Sequence, residues 1–189
     1  LLLAGCASTQ LDAQWSDPQA ARASLRGARV LVACEAAEAV VKRICQDRLA
    51  AEVTAHGGTA VIAPQSSLDP TRPESDEPYV SAARVAGARA VLATSVAPTS
   101  ASMSPGFSVG LGAFSIGSGG FAGGFGVSAP IGGGPVSSGY SANARITSAD
   151  SGRLLWTAKA SSPPSGDLNG QLAELAKAVV DAAGKAGLF

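Results

Sequence analysis

The 189-residue chain carries 14 basic and 14 acidic residues, one histidine and three cysteines, and 46% of it is hydrophobic. That length allows one domain with its own core, while the balanced charge offers none of the clustered Lys and Arg that nucleic-acid phosphates demand, so nucleic acid is not an expected partner. No apolar run approaches the ~20 residues of a membrane-spanning helix.

In chain order, the sequence opens "LLLAGCAST" without a Met. Residues 1–5 read as the residual end of a signal-peptide apolar region, closing on small residues before Cys6. Leu3-Ala4-Gly5-Cys6 resembles the lipobox of bacterial lipoproteins, in which the Cys takes a diacylglycerol and becomes the new N-terminus. Acyl chains contribute roughly 0.8 kcal/mol per buried CH₂, so several chains on Cys6 anchor firmly where one myristoyl would not. Ala7 follows; in the sorting rule that this resemblance implies, Asp there favours the inner membrane and Ala permits export. The implied protein is held in the inner leaflet of the outer membrane through acyl chains on Cys6 and faces the periplasm. Residues 6–27 then form the lipidated Cys and a tether, which Trp15 is expected to pack onto an α/β domain spanning 28–189.

Within that domain, Ala28–Cys34 ("ARVLVAC") reads as a buried strand. The next segment is a helix, with Val41, Ile44, Cys45, Leu49 and Val53 on one stripe, His56 in the last turn and Gly57-Gly58 as the stop. "TAVIAP" (Thr59–Pro64) is a second strand, followed by a polar loop with three prolines. Its acidic residues Asp69, Glu74, Asp76 and Glu77 lack the spacing and central glycine of a calcium loop, and are expected in solvent. A short helix over Tyr79–Ala86 and a strand from Ala88 complete β-α-β-α-β, which implies parallel strand pairs covered by helices. Residues 137–162 read as a hairpin turning at Asp150-Ser151-Gly152, with Trp156 as a core or sheet-face aromatic. Asp167 caps a C-terminal amphipathic helix carrying Leu168, Leu172, Leu175, Val179 and Ala183 on one stripe. The expected fold class is α/β, a single domain with a mixed sheet and the last helix packed on it.

In an oxidising compartment, Cys34 and Cys45 remain as an even pair. A disulfide closing so short a loop contributes about 3 kcal/mol. Against it, Cys45 sits inside the helix, roughly 12–15 Å along its axis, whereas bridging needs Cα atoms within ~7 Å. A disulfide and two buried, inert thiols both remain open. Metal binding is disfavoured because His56 is the only imidazole.

Between Arg89 and Arg145 there is no charged residue, and Gly106–Gly134 within that gap is glycine-rich. Gly106-Phe107-Ser108-Val109-Gly110 matches a nucleophile-elbow pattern, but no helix-forming segment and no His follows Ser108. A P-loop is excluded because no Lys occurs there, and a dinucleotide loop because the third glycine is misplaced. No catalytic residue and no cofactor are therefore expected, and the protein reads as a non-enzyme. Phe107, Val109 and Leu111, then Phe125 and Val127, alternate with small residues on both flanks of "GSGGFAGG", the period of a hairpin with one apolar face. Three readings stay open for residues 105–139: an extension of the domain's own sheet, a loop, or a hairpin for self-assembly or membrane contact. Its arms, roughly seven or eight residues each, fall short of the ~9–11 of a transmembrane strand.

Three segments carry a family resemblance: "QWSDP" (Gln14–Pro18), "VVKRICQDRLAAEVTAHGGTAVIA" and "ITSADSGRLLWTAKA". Together they resemble a group of small bacterial outer-membrane lipoproteins of unassigned function, whose domain is similar to the curli-secretion lipoprotein (CsgG-like) and TolB N-terminal domains. The curli-secretion branch oligomerises and sends hairpins through the outer membrane; related lipoproteins activate a peptidoglycan synthase across the periplasm. The resemblance implies a binding or assembly module of the envelope whose partner is an unknown envelope protein or a further copy of itself. The alternative it implies is an oligomeric pore or secretion-channel component using the Gly-rich hairpin.

Overall fold

The structure, a computed structural model, describes residues 8–64, 76–99 and 138–189. In chain order these form β1 (Gln10–Ser16), a 3₁₀ turn (Ala20–Ala23), β2 (Arg29–Glu35), α1 (Ala39–Ala55) and β3 (Thr59–Ile62). There follow α2 (Glu77–Val85), β4 (Ala90–Thr99), β5 (Ser138–Ser148), β6 (Leu154–Ser165) and α3 (Leu168–Lys185). The strands make one six-stranded sheet in the order β1-β6-β5-β4-β2-β3. β2 pairs in parallel with both β3 and β4, and the β4–β5, β5–β6 and β6–β1 steps are antiparallel. The mixed α/β sheet expected from the β-α-β-α-β pattern is the one observed.

Strand alternation divides the sheet into two faces. On one face Val30, Val32, Leu92, Ile146, Trp156 and Ala158 point into the larger core, which α1 and α3 cover with Val41, Leu49, Val53, Leu172, Leu175 and Val179. Trp156 is fully buried there, in the core role its strand position implied. On the other face Leu31, Ala33, Val91 and Ala93 meet Tyr79, Val80 and Ala83 of α2 in a smaller core. The helix ends obey their local chemistry. Asp167 Oδ1 accepts the Gly170 amide at 2.9 Å at the start of α3, and Gly57, at φ +87°, takes the left-handed turn after α1.

One expectation needs correction. Gln10–Ser16 is not a tether packed onto the domain through Trp15 but an edge strand of the sheet itself, paired with β6 in the register Trp15 to Thr157. The stretch that follows is also held to the domain: Leu25 is 2% exposed, and its amide donates to Leu188 O at 2.6 Å. Nothing local in "QLDAQWS" announces this strand; its partner is supplied from the far end of the chain. Cys6, and the Phe107, Val109, Leu111, Phe125 and Val127 of the Gly-rich segment, lie outside the described residues. Residues 100–137 connect β4 to β5, whose last paired residues are Thr99 and Gly139.

Candidate functional site

Where β2 ends, on the α2 face beside the first half of β4, a polar cluster gathers from three elements. Glu35 closes β2, Asp76 precedes α2, Tyr79 lies in its first turn, and Arg145 and Thr147 alternate along β5. The Arg145 guanidinium pairs with Asp76 through Nε and lies 4.0 Å from Glu35 Oε1 through Nη2. Thr147 Oγ1 donates to Asp76 Oδ2 at 2.6 Å. Asp76 occupies the N-cap position of α2 yet makes no capping hydrogen bond; both its oxygens turn to β5 instead. It fastens the start of the helix to the sheet. Burial pushes the Tyr79 phenol well above its ordinary range, and the adjacent Glu35 carboxylate, which accepts its hydrogen bond, pushes it further.

This corrects the sequence reading of the acidic loop. Asp76 is not in solvent, its carboxylate being 16% exposed and paired with Arg145. Glu77 is exposed in the first turn of α2, and Asp69 and Glu74 lie outside the described residues. The ends of parallel strands are where open α/β sheets bind ligands, so this is the natural place to look for chemistry. What stands there is a hydroxyl whose neighbouring carboxylate is already held by an arginine, and a phenol kept neutral. The arrangement neutralises buried charge and positions α2; it does not pair a nucleophile with a free base.

His56 ends α1 and meets α3. Its Nδ1 lies 2.9 Å from the main-chain oxygen of Glu52 and its Nε2 3.0 Å from Asp181 Oδ1. Lys177 Nζ donates to Asp181 Oδ2 at 2.8 Å, and this bond, assisted by the charges of Lys177 and His56, holds the Asp181 carboxyl below the usual range. Ligand atoms of Glu52, His56 and Asp181 fall within 4.8 Å of one another. Lys177 already supplies the cation on Asp181, so the group is an ion network joining α1 to α3.

Cys34 and Cys45 are bridged, with Cα atoms 6.0 Å apart. Distance along the helix axis does not set this separation: Cys45 lies in the second turn of α1, and α1 folds back across the end of β2, which returns that turn toward Cys34. A small cavity beside this bridge, lined by Cys45, Leu49, Thr94 and Leu172 among others, has a volume of about 10 Å³. That is far below the ~300 Å³ of a small-molecule site. Ser108, the candidate of the nucleophile-elbow pattern, lies outside the described residues.

Trp15 projects from the β1 edge on the α2 face, 49% exposed. It does not bury itself against the domain as expected for a tether clamp. No helix among the described residues is long and apolar enough to cross a membrane.

No protein-family model matches the sequence, and no curated protein matches it. Among solved structures, the chain is similar to a point variant of the PelC dodecamer from Paraburkholderia phytofirmans, with a TM-score of 0.55 and 16% identity over 93% of this chain and 98% of that one. A second structure of the PelC dodecamer gives a TM-score of 0.51 and 13% identity, covering 90% and 96%. Lipoprotein GNA1162 from Neisseria meningitidis is matched at a TM-score of 0.41 and 19% identity, over 83% and 96%. At these identities the PelC likeness is one of fold, extending over nearly the whole of both chains.

Proposed function

We propose that the protein is a lipid-anchored envelope protein, held to the outer membrane through Cys6, whose periplasmic domain works by assembling with further copies of itself. The observation that carries this reading is the end-to-end fold likeness to PelC, a protein whose solved structures are dodecamers. The Cys34–Cys45 bridge supports an oxidising compartment, since such bonds persist outside the cytosol. The lipobox resemblance around Cys6 supplies the anchor. The reading assigns the protein no catalytic step and no cofactor.

Cell fractionation of the Cys6→Ser variant tests the anchor: the protein is expected to leave the membrane fraction for the soluble periplasm. Continued membrane association contradicts the lipobox reading. Mass measurement of the lipidated, detergent-extracted protein tests assembly, and a single-chain mass in every lipid condition would sink it.

The alternative, an oligomeric pore or secretion-channel component, draws on one feature. β4 and β5, the strands on either side of the Gly-rich segment in the chain, are paired antiparallel up to Thr99 opposite Gly139, the arrangement from which a hairpin can be extended. Ion conductance of the lipidated protein in liposomes, lost on deleting residues 106–134, is the result this alternative requires.

A further inference from the structure

Among the described residues the sheet ends on two unpaired edges, β1 and β3, and apolar exposure concentrates on them. The exposed large hydrophobic side chains among the described residues are Leu11, Trp15, Val40, Ile62, Val85 and Leu154. Leu11 and Trp15 belong to β1, Ile62 to β3, and Val85 ends α2 beside β3. The two edges are also matched face for face. Trp15 aligns through Thr157 and Arg145 with Ala93, which lies on the α2 face. On that same face, between β3 and α2, runs an open cleft of about 370 Å³ lined by Leu31, Val61, Pro64, Ala82 and Val85.

Backbone polarity fixes how these edges meet. The amides of Thr59 and Ala63 donate inward, to Ala28 O at 2.8 Å and Val32 O at 2.9 Å. Donor direction alternates along a strand, so Ala60 and Ile62 turn their amide and carbonyl groups out of the sheet. On the other edge the Asp17 amide donates inward to Leu155 O at 2.9 Å, so Ser16 and Gln14 face outward. Following the sheet from β3 to β1 through its parallel and antiparallel steps, β1 runs opposite to β3. The bulge between Leu11 and Ala13 interrupts the first part of β1 and leaves Ala13–Ser16, a stretch equal in length to the four-residue β3.

Resting on the self-assembly reading above, we propose that β1 of one protomer pairs antiparallel with β3 of the next, seating Trp15 in the β3–α2 cleft of that neighbour. The register that pairs Ser16 with Ala60 and Gln14 with Ile62 as hydrogen-bonded partners sets Trp15 opposite Val61. A contact between two different edges is heterologous: it repeats head to tail rather than stopping at a dimer, and gives a ring where the rotation between neighbours closes.

The test uses the lipidated, detergent-extracted full-length protein carrying both Gln14→Cys and Ile62→Cys. Hydrogen-bonded antiparallel partners lie ~5.5 Å apart at Cα, within bridging range. Oxidation is expected to give a ladder of covalent multiples, absent from the parent and from each single variant. Dimers from either single variant place like edges together and overturn the proposal. An assembled parent with no ladder in the double variant overturns this contact while leaving self-assembly standing; a single-chain mass for the parent overturns both. Trp15→Lys and, from the opposite side of the contact, Val85→Lys are each expected to reduce the assembled mass to one chain with unchanged far-UV circular dichroism. Assembly like the parent's in both lysine variants also overturns it.

Discussion

The two faces of the sheet are held by different means. Beneath α1 and α3 the contacts are almost wholly apolar, centred on Trp156 and Ile146 and closed by the Cys34–Cys45 bridge. Beneath α2 a smaller apolar patch gives way to Arg145, Asp76, Glu35 and Thr147, and among the described residues no helix covers the sheet beyond β5 on that side. Apolar burial is non-directional and supplies the larger stabilisation. Buried ion pairs roughly offset their own desolvation and chiefly fix geometry. The first face therefore keeps the domain folded, and the second places α2, and with it the β3–α2 cleft.

That contrast can be broken most forcefully at Trp156. Trp156→Ala is expected to cost about 3–5 kcal/mol of stability, read as a lower denaturation midpoint. A smaller loss than that of the α2-face variants would reverse the ranking of the faces. Removing the bridge with Cys34→Ala and Cys45→Ala is expected to cost about 3 kcal/mol, and reductant should lower the melting temperature of the parent but not of this variant. On the other face, Arg145→Met leaves two partly buried carboxylates without their cation, at about 1–3 kcal/mol. It should also loosen α2, seen as faster amide exchange in Glu77–Val85 with α1 unchanged. The smallest effect belongs to the rim, at Asp181. Its carboxyl is held down chiefly by the Lys177 hydrogen bond, so it contributes stability above its unfolded pKa and loses it as pH falls below about 4. Asp181→Asn should flatten that acid limb slightly, and the difference should shrink in high salt.

Much of this was legible in the sequence because it is local. The stripe Val41, Cys45, Leu49 and Val53 gave α1 its buried side, the Asp150-Ser151-Gly152 turn falls between β5 and β6, with Gly152 at φ +67°, and Asp167 caps α3. What escaped was set by partners distant in the chain. β1 becomes a strand only because β6 offers its edge. Asp76 reads as one acid among several until Arg145, 69 residues away, closes on it. Gln46 stands on the helical stripe as a polar residue and is nonetheless 1% exposed. The cysteine spacing was legible but misleading, because separation along a helix says nothing about how the helix folds back over its strand.

Gly139 carries a consequence for how this chain tolerates change. A side chain there would meet the main-chain oxygen of Ser162 at 2.7 Å and Thr99 Oγ1 at 2.5 Å, so the base of the β4–β5 connection admits only glycine. Thr99 and Gly139 are thereby clamped side by side, whatever the length of chain between them.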